Sequence, residues 1–186
     1  MPYIILDRDG VINDDSDKYI KSADEWHAIP GSLEAIADLN RAGFHVIVAS
    51  NQSGISRGLF DLDTLNQMHE KLFQELTSVG GYIDEIFFCP HQPSDNCDCR
   101  KPKPGMFYQI QKKYHVDFKD TYFIGDAIGD LQVAQAVGCR FLLVLTGKGQ
   151  HTLEKFPEQT SSIPCFANLA EASRFVLREK AYAKNI

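Results

Sequence analysis

The sequence lacks several features that would place it in a specialised class of protein. It contains no run of about 18 apolar residues, so no segment is long enough to span a membrane. Met1 and Pro2 lead directly into an apolar segment, without the charged and apolar leader that directs secretion. Repeats, low-complexity tracts and linkers rich in proline, glycine or serine are also missing. We therefore expect a cytoplasmic protein in which residues 1–186 form a single domain.

Positive charge is also scarce. The chain has 19 Lys and Arg residues against 25 Asp and Glu residues, which gives a formal net charge of −6. Non-specific binding to nucleic acid needs a basic face, so we expect no nucleic-acid partner. The densest basic segment, RKPK at residues 100–103, suits a small phosphorylated molecule instead. The five cysteines are an odd number, which favours reduced thiols over a disulfide framework.

The chain alternates apolar runs with amphipathic stretches. Five apolar runs predict buried strands at residues 3–7, 44–50, 84–90, 121–126 and 140–147. Helical spacing of apolar residues predicts helices at residues 31–43, 61–80, 103–115, 129–138 and 168–183. In the second of these, the spacing places one apolar side at Leu62, Leu65, Met68, Leu72, Phe73 and Leu76. Apolar strands that alternate with helices are typical of a parallel sheet covered on both faces. The sequence therefore predicts an α/β fold with a doubly wound parallel sheet.

Polar or ligating side chains follow four of the predicted strands. The strand ends read DRDG at residues 7–10, SNQSG at 50–54, CPH at 89–91 and GD at 125–126. Two carboxylates as close as Asp7 and Asp9 raise each other's pKa unless a cation lies between them. Together with Asp126 they offer oxygen ligands that suit Mg²⁺ and a phosphate. Taken alone, the Asp-x-Asp pair is also compatible with a solvated loop or a helix cap.

The motifs DRDGVIN, SNQSGI, RKPKPGM and GDAIGD, in this order and strand context, resemble those of the haloacid dehalogenase superfamily of phosphatases. The resemblance implies that Asp7 is the nucleophile, which forms an aspartyl-phosphate, and that Asp9 is the general acid and base. It also implies that Mg²⁺ is held by Asp7, Asp126 and the backbone carbonyl of Arg8 or Asp9. Asp130, one helical turn further on, would support the metal site.

The same resemblance implies that Ser50 and Lys101 stabilise the phosphoryl oxygens during transfer. Spacing alone does not separate Lys101 from Lys103, and the RKP motif of the superfamily favours Lys101. The segments between the predicted elements are too short for a large cap domain. We therefore expect a capless enzyme whose specificity comes from loops.

A cluster of soft ligands lies in the segment CPHQPSDNCDC, residues 89–99. The candidate ligands are Cys89, His91, Cys97 and Cys99. Three thiolates and one imidazole make a closed tetrahedral site, typical of structural Zn²⁺, so we interpret residues 89–99 as a zinc-binding loop. Buried thiols beside an unrelated histidine are the alternative. Because Cys99 directly precedes Arg100 and Lys101, the zinc would aim both cations at the site.

With the cysteine loop included, the motifs resemble the D-glycero-D-manno-heptose-1,7-bisphosphate phosphatase family. Its members remove the C7 phosphate during nucleotide-heptose synthesis for lipopolysaccharide and other bacterial surface polysaccharides. Histidinol-phosphate phosphatases share much of the loop pattern and remain an alternative, as does another small sugar-phosphate phosphatase. The resemblance implies a phosphorylated sugar substrate and the binding residues Asp15, Tyr19, Asn51, Gln52, Ser53, Gly54, Arg57 and Arg100. We expect a monomer.

One position departs from the family pattern. Many members carry Lys directly after the aspartate of the fourth strand, where this chain has Ala127. The preferred anomer, and the bisphosphate itself, therefore stay open. Two other classes of protein are alternatives: a phospho-accepting receiver domain, whose acceptor aspartate follows a middle strand, and a zinc hydrolase, which needs an open metal position.

Overall fold

A parallel sheet of six strands, in the order β3-β2-β1-β4-β5-β6, forms the centre of the protein. The computed structural model describes residues 2–183. The strands are β1 (Tyr3–Leu6), β2 (His45–Asn51), β3 (Glu85–Cys89), β4 (Tyr122–Gly125), β5 (Arg140–Val144) and β6 (Cys165–Phe166). The helices are α1 (Ser32–Arg41), α2 (Leu62–Ser78), α3 (Gly105–Tyr114), α4 (Ile128–Val137), α5 (Gly149–Lys155), α6 (Pro157–Thr160) and α7 (Leu169–Ala183). Two short 3₁₀ helices span Pro93–Asp95 and Phe118–Asp120.

Helices cover both faces of the sheet, which confirms the predicted fold class. Along β1, Ile4 and Leu6 face a core shared with α1, α2 and α7, whereas Ile5 faces a second core shared with α3 and α4. All three side chains are fully buried. Because successive side chains of a strand point to opposite faces, a strand buried on both faces must be apolar throughout.

The predicted strands and helices are all present, with bounds that differ by a few residues. The structure adds β6, α5 and α6, which lie in a part of the chain without a clear periodic pattern. On α2, two apolar residues that the helical spacing assigned to the buried side, Leu62 and Phe73, are 49% and 39% exposed. The buried stripe of α2 instead comprises Leu65, Met68, His69, Leu72 and Leu76. Phe73, one position after Leu72, is turned from it by about 100° and faces solvent, whereas Leu62 is the first residue of α2 and lies at the end of the stripe.

The strand order reverses between β1 and β4, which are neighbours in the middle of the sheet. The chain passes from β1 to β2 on one side and from β4 to β5 on the other, so the loops after β1 and β4 diverge and leave a crevice. Between β1 and α1, residues 7–31 form turns and two isolated bridges, Asp9 with Asn13 and Asn13 with Ala28. Within residues 2–183, no helix combines the length and apolarity needed to cross a membrane.

Candidate active site

A cavity of about 360 Å³ opens at the carboxyl edge of the sheet, above the crevice between β1 and β4. Three carboxylates meet at its floor. Asp7 follows β1, Asp126 follows β4 and Asp130 lies in the first turn of α4, and their oxygens lie within 4.8 Å of one another. The backbone N–H of Asp7 donates to the carbonyl of Ile124 at 2.9 Å, which extends the pairing of β1 with β4 to the catalytic edge.

Asp130 has both carboxylate oxygens engaged. Its Oδ1 lies 2.7 Å from Lys101 Nζ. Its Oδ2 accepts hydrogen bonds from the backbone N–H groups of Asp126, at 3.2 Å, and Ala127, at 3.1 Å. Asp130 is therefore placed to orient the turn that carries Asp126 rather than to bind a metal itself.

Lys101 is buried in the middle of this cluster. Its Nζ lies 3.0 Å from Asp7 Oδ1, 2.7 Å from Asp130 Oδ1 and 2.7 Å from the carbonyl oxygen of Ala49. Lys103, by contrast, is exposed, and its Nζ donates to the carbonyl of Asn96. The structure thus brings Lys101, and not Lys103, to the carboxylates, as the RKP motif indicated.

The carboxylates at the floor of the cavity carry more negative charge than the neighbouring cations balance, which favours binding of a divalent cation. Burial, with further contributions from Asp130 and Asp9, raises the pKa of Asp7 to about 7 despite the nearby Lys101. Burial and the charges of Asp7 and Asp130 also raise the pKa of Asp126 well above its usual value. With all groups ionised, the three carboxylates of the floor and the nearby Asp9 carry four negative charges, against two positive charges on the buried Arg8 and Lys101. A hard dication held by carboxylate oxygens, such as Mg²⁺, would balance them.

Two glycines leave room for the Asp126 carboxylate. Gly10 and Gly147 both have positive φ angles, of 83° and 57°. A Cβ atom would lie 2.1 Å from Asp126 Oδ2 at Gly10 and 2.2 Å from the same oxygen at Gly147. The hydroxyl of Thr146 donates to the carbonyl of Gly10 at 2.6 Å and ties the two loops together. Only glycine fits at either position, because both the backbone angle and the space exclude a side chain.

The Asp9 carboxylate lies outside this cluster of three, so the structure does not bring it to the metal ligands. Arg8 Nη2 donates to Asp9 Oδ1 at 2.9 Å, Asn13 Nδ2 to the same oxygen at 2.8 Å, and Gln52 Nε2 to Asp9 Oδ2 at 2.8 Å. Burial alone would raise the pKa of Asp9, but Arg8 and these hydrogen bonds outweigh it and hold the pKa below its ordinary value. The backbone carbonyl of Arg8 already accepts three N–H groups, from residues 11–13. That leaves the carbonyl of Asp9 as the better candidate for a backbone ligand.

The end of β2 and the residue that follows it, Gln52, support the floor from the other side. Ser50 is 1% exposed, and its Oγ accepts a hydrogen bond from Gln52 Nε2 at 2.7 Å. Asn51 exchanges two hydrogen bonds with the backbone of Lys101, at 3.0 and 3.1 Å. Asn51 and Gln52 line the cavity, whereas Ser50 lies beneath them.

The cysteine cluster also forms. Cys89 Sγ lies 3.5 Å from Cys97 Sγ and 3.0 Å from Cys99 Sγ. His91 Nδ1 lies 3.4 Å from Cys99 Sγ and 3.6 Å from Cys89 Sγ. A tetrahedral zinc ion with bonds of about 2.3 Å to sulfur holds its ligand atoms roughly 3.5 to 3.8 Å apart. Three of the four distances are close to this range, and only the one between Cys89 and Cys99 is clearly shorter. The four ligand atoms, with Nδ1 from the histidine, are thus close enough together to hold one zinc ion.

This cluster is joined to the cavity through Arg100. The guanidinium of Arg100 donates from Nη1 to the carbonyl of His91 at 3.1 Å, and Arg100 lines the cavity. The adjoining residue is Lys101, whose backbone is held by Asn51. A metal ion bound by Cys99 and His91 would therefore hold the segment that carries both cations.

Comparison with known proteins identifies the family. A family model described as HAD-hydrolase-like matches residues 98–172. The D-glycero-β-D-manno-heptose-1,7-bisphosphate 7-phosphatase of Pseudomonas aeruginosa is 55% identical over 170 residues, which cover 91% of this chain and 96% of that protein. This chain belongs to the heptose-1,7-bisphosphate 7-phosphatase family. The relative of the same name from Bordetella bronchiseptica is 51% identical over 92% of this chain and 97% of its own.

Solved structures of the heptose-1,7-bisphosphate phosphatase family have the same fold. The B. bronchiseptica D,D-heptose 1,7-bisphosphate phosphatase, in complex with magnesium and phosphate, has a TM-score of 0.92 at 49% identity and covers 96% of this chain and 99% of that chain. The Burkholderia thailandensis enzyme has a TM-score of 0.74 at 41% identity, over 95% and 99% of the two chains. Membership of this phosphatase family rules out the receiver domain and the zinc hydrolase as readings of the chain.

The outer residues predicted for this phosphatase family divide into two groups. Residues that line the cavity are Asp15, Tyr19, Asn51, Gln52, Ser53 and Arg100. Gly54 and Arg57 do not. A Cβ atom at Gly54 would lie 2.1 Å from the Phe60 ring, so Gly54 lets Phe60 reach the cavity. Arg57 is exposed, and its guanidinium carbon lies 5.9 Å from the centre of the Tyr19 ring.

The sequence reasoning missed three residues at the site. Lys148 lines the cavity, and its backbone N–H donates to Asp126 Oδ2 at 2.7 Å. Phe60 lines the cavity from the loop before α2. Asn13 lies four residues after Asp9, and its amide holds that carboxylate. Of the three, only Asn13 could have been identified from the sequence, because it belongs to the DRDGVIN motif. No motif marks Lys148 or Phe60, which the fold brings to the cavity.

Proposed function

We propose that this chain removes the C7 phosphate of D-glycero-β-D-manno-heptose 1,7-bisphosphate, as the names of its relatives describe. The observation that carries the proposal is the buried Lys101, in contact with both Asp7 and Asp130 at the point where the strand order reverses. A phosphate placed there meets a carboxylate nucleophile and a fixed cation at once. The B. bronchiseptica relative is in complex with magnesium and phosphate, the metal and the product that the proposed reaction involves.

In the proposed first step, a carboxylate oxygen of Asp7 attacks the phosphorus atom. The new Asp7 oxygen–phosphorus bond forms as the bond from phosphorus to the C7 oxygen breaks, and a proton passes from Asp9 to that oxygen. Lys101, with the Ser50 hydroxyl below it, stabilises the negative charge that builds on the phosphoryl oxygens. The heptose 1-phosphate leaves, and an aspartyl-phosphate remains.

The second step reverses these roles. Asp9, now ionised, accepts a proton from a water molecule as the water oxygen attacks phosphorus. The Asp7–phosphorus bond breaks and inorganic phosphate is released. The hydrogen bonds of Asp9 with Arg8, Asn13 and Gln52 stabilise its ionised form, which suits this second role. For the first step, Asp9 must take up a proton from solvent before the C7 oxygen leaves.

Mg²⁺ would be held by carboxylate oxygens of Asp7 and Asp126 and by the backbone carbonyl of Asp9. When bound, it would neutralise charge between the nucleophile and the phosphate. Asp130 orients Asp126 and pairs with Lys101, so it acts through its neighbours. Gly10 and Gly147 keep the Asp126 carboxylate in place.

The phosphate that is not transferred needs cations away from Asp7. Besides Lys101, the cationic residues that line the cavity are Arg100 and Lys148. Lys148 Nζ lies 3.4 Å from Asp15 Oδ2, at the opening of the cavity. Ala127, which also lines the cavity, stands where many family members carry Lys. We propose that Arg100 and Lys148 bind the C1 phosphate, and that Lys148 supplies the cation missing at position 127.

We expect Lys148→Met to raise KM for the 1,7-bisphosphate by roughly tenfold, because a charged hydrogen bond contributes about 1.5–3 kcal/mol. The kcat/KM for heptose 7-phosphate, which lacks the C1 phosphate, should stay within about twofold. Steady-state phosphate release from the two substrates measures both values. Lys155→Met, at an exposed position on α5, is the matched control. An equal effect on both substrates, or no effect on either, would contradict this assignment.

We propose that the cluster of Cys89, His91, Cys97 and Cys99 holds a structural Zn²⁺. Removing zinc with a selective chelator in excess Mg²⁺ is expected to lower kcat by roughly tenfold, because displacing a positioned group by about 1 Å has effects of this size or greater. The Mg²⁺ concentration for half-maximal activity should change little, since Asp7 and Asp126 lie on the sheet. Full activity and an unchanged melting temperature in zinc-free protein would count against this role. Cys139→Ser, outside the cluster, is the control for thiol loss.

The proposed function is tested by phosphate release with Mg²⁺ from the α and β anomers of the heptose 1,7-bisphosphate and from histidinol phosphate. A strong preference for the β-bisphosphate supports the proposal. A preference for histidinol phosphate would keep the site and the mechanism but replace the substrate. Equal and low rates on all three would mean that the pocket recognises a different molecule.

A further inference from the structure

The charged side chain of Arg8 is buried, at 1% exposure, although it follows the nucleophile directly in the chain. One edge of its guanidinium faces Asp9: Nε donates to Oδ1 at 3.1 Å, and Nη2 donates to Oδ1 at 2.9 Å and to Oδ2 at 3.1 Å. The other edge faces α2, where Nη1 lies 3.3 Å from Nε2 of His69. Arg8 therefore connects the Asp9 carboxylate to a helix that does not line the cavity.

The imidazole of His69 must accept the hydrogen bond from Arg8. A guanidinium has donors only, so Nε2 of His69 carries no proton and Nδ1 carries it. Burial and the adjacent positive charge of Arg8 lower the pKa of His69 to about 4, so the imidazole stays neutral near neutral pH. The ring is buried and packs edge-on against Phe88 of β3, with 6.2 Å between ring centres. His69 is thus a rigid neutral acceptor for a buried cation.

We propose that His69 is a positioning residue for the proton transfer by Asp9, acting through Arg8. The inference rests on the proposed role of Asp9 as general acid and base. Without the Nε2 acceptor, the Nη1 group of Arg8 would be buried and unpaired, and the guanidinium would turn to find another partner. A turned guanidinium no longer holds both oxygens of Asp9, and proton transfer depends closely on the position of the donor.

A role in proton transfer differs from a purely structural role in its dependence on the leaving group. An alkyl alkoxide, such as the C7 oxygen of a sugar phosphate, needs a proton as it leaves. A nitrophenolate leaves readily without one. Loss of correct positioning at Asp9 should therefore slow the first step for the sugar phosphate much more than for p-nitrophenyl phosphate. General damage to the fold would slow both reactions alike.

The test is His69→Leu, measured with the heptose bisphosphate and with p-nitrophenyl phosphate. We expect kcat/KM for the bisphosphate to fall roughly 10- to 100-fold, with KM changed by less than about threefold, because the loss is one of positioning. The kcat/KM for p-nitrophenyl phosphate, which reports the first step and not the water attack that both substrates share, should fall by less than about threefold. His69→Gln, whose amide oxygen reaches close to the position of Nε2, should restore most of the bisphosphate rate. Met68→Ala, at a buried neighbouring position on α2, controls for lost packing and should lower both rates equally.

Each outcome decides a different point. If His69→Leu lowers both rates by the same factor, or leaves the bisphosphate rate unchanged, the positioning role is wrong. If the wild-type chain releases no phosphate from the heptose bisphosphate, the proposed function is wrong, whatever the rates with p-nitrophenyl phosphate. If His69→Leu does not fold, His69→Gln is compared with His69→Asn, whose amide stops short of Arg8. Equal leaving-group dependence in these two variants would then overturn the proposal.

Discussion

Asp7→Asn will reduce phosphate release by roughly 10⁴-fold or more, the size of effect that follows loss of a catalytic nucleophile. Asparagine has nearly the same shape but cannot form an acyl phosphate. Because burial and the carboxylates of Asp130 and Asp9 raise the pKa of Asp7, its ionised form is unfavourable in the metal-free fold. The neutral amide removes that repulsion, so we expect the variant to melt no lower than the wild type without metal. Phosphate release with Mg²⁺ and thermal denaturation with and without Mg²⁺ measure the two effects.

The matched control for this variant is Asp24→Asn, which makes the same chemical change at an exposed position away from the cavity. It should release phosphate at the wild-type rate. If Asp7→Asn kept activity within about tenfold of the wild type, another group would have to be the nucleophile.

Lys101→Met will cause the second large loss, in activity and stability together. Removing one partner of a buried ion pair typically costs about 3–5 kcal/mol, and Lys101 pairs with both Asp7 and Asp130. Phosphate release should fall by roughly 10²- to 10³-fold, because a fixed cation at the phosphoryl oxygens is lost. Urea denaturation in metal-free buffer measures the change in the free energy of unfolding. The loss of unfolding free energy should be larger at pH 8 than at pH 5, because the carboxylates left without Lys101 can take up protons at the lower pH.

Lys103→Met is the natural control, since Lys103 is exposed and lies two residues further along the same loop. Its effect on the free energy of unfolding should stay within about 0.5 kcal/mol. Wild-type stability in Lys101→Met, or an equal loss in both variants, would show that the contacts of Lys101 with the carboxylates do not stabilise the fold.

The strand pattern made the centre of the site predictable. Asp7 and Asp126 directly follow two apolar runs, and in a parallel sheet the carboxyl ends of central strands meet at one edge. The cysteine loop was predictable for a local reason: its four candidate ligands lie within eleven residues and form two pairs, each separated by a single residue. The two apolar residues of α2 that proved exposed, Leu62 and Phe73, show the limit of periodicity, which does not locate the edge of a buried stripe.

Other features had no local signal. Lys148 lies 22 residues after Asp126 and His69 lies 61 residues after Arg8, so only the path of the chain brings each pair together. The orientation of the Asp9 carboxylate also depends on the tertiary structure. Spacing places it beside Asp7, but the contacts with Arg8, Asn13 and Gln52 hold its carboxylate outside the cluster of Asp7, Asp126 and Asp130.

The sequence by itself determined the fold class and the family, which are confirmed, and it predicted the nucleophile and the two metal-binding clusters. Each of these is marked by a short motif that follows an apolar run or lies within one loop. The tertiary structure decided which charges pair. It placed Lys101 between Asp7 and Asp130, Lys148 beside Asp15, and Arg8 between Asp9 and His69. Electrostatic interactions depend on distance in space and on burial, and neither quantity can be read from the separation of residues along the chain.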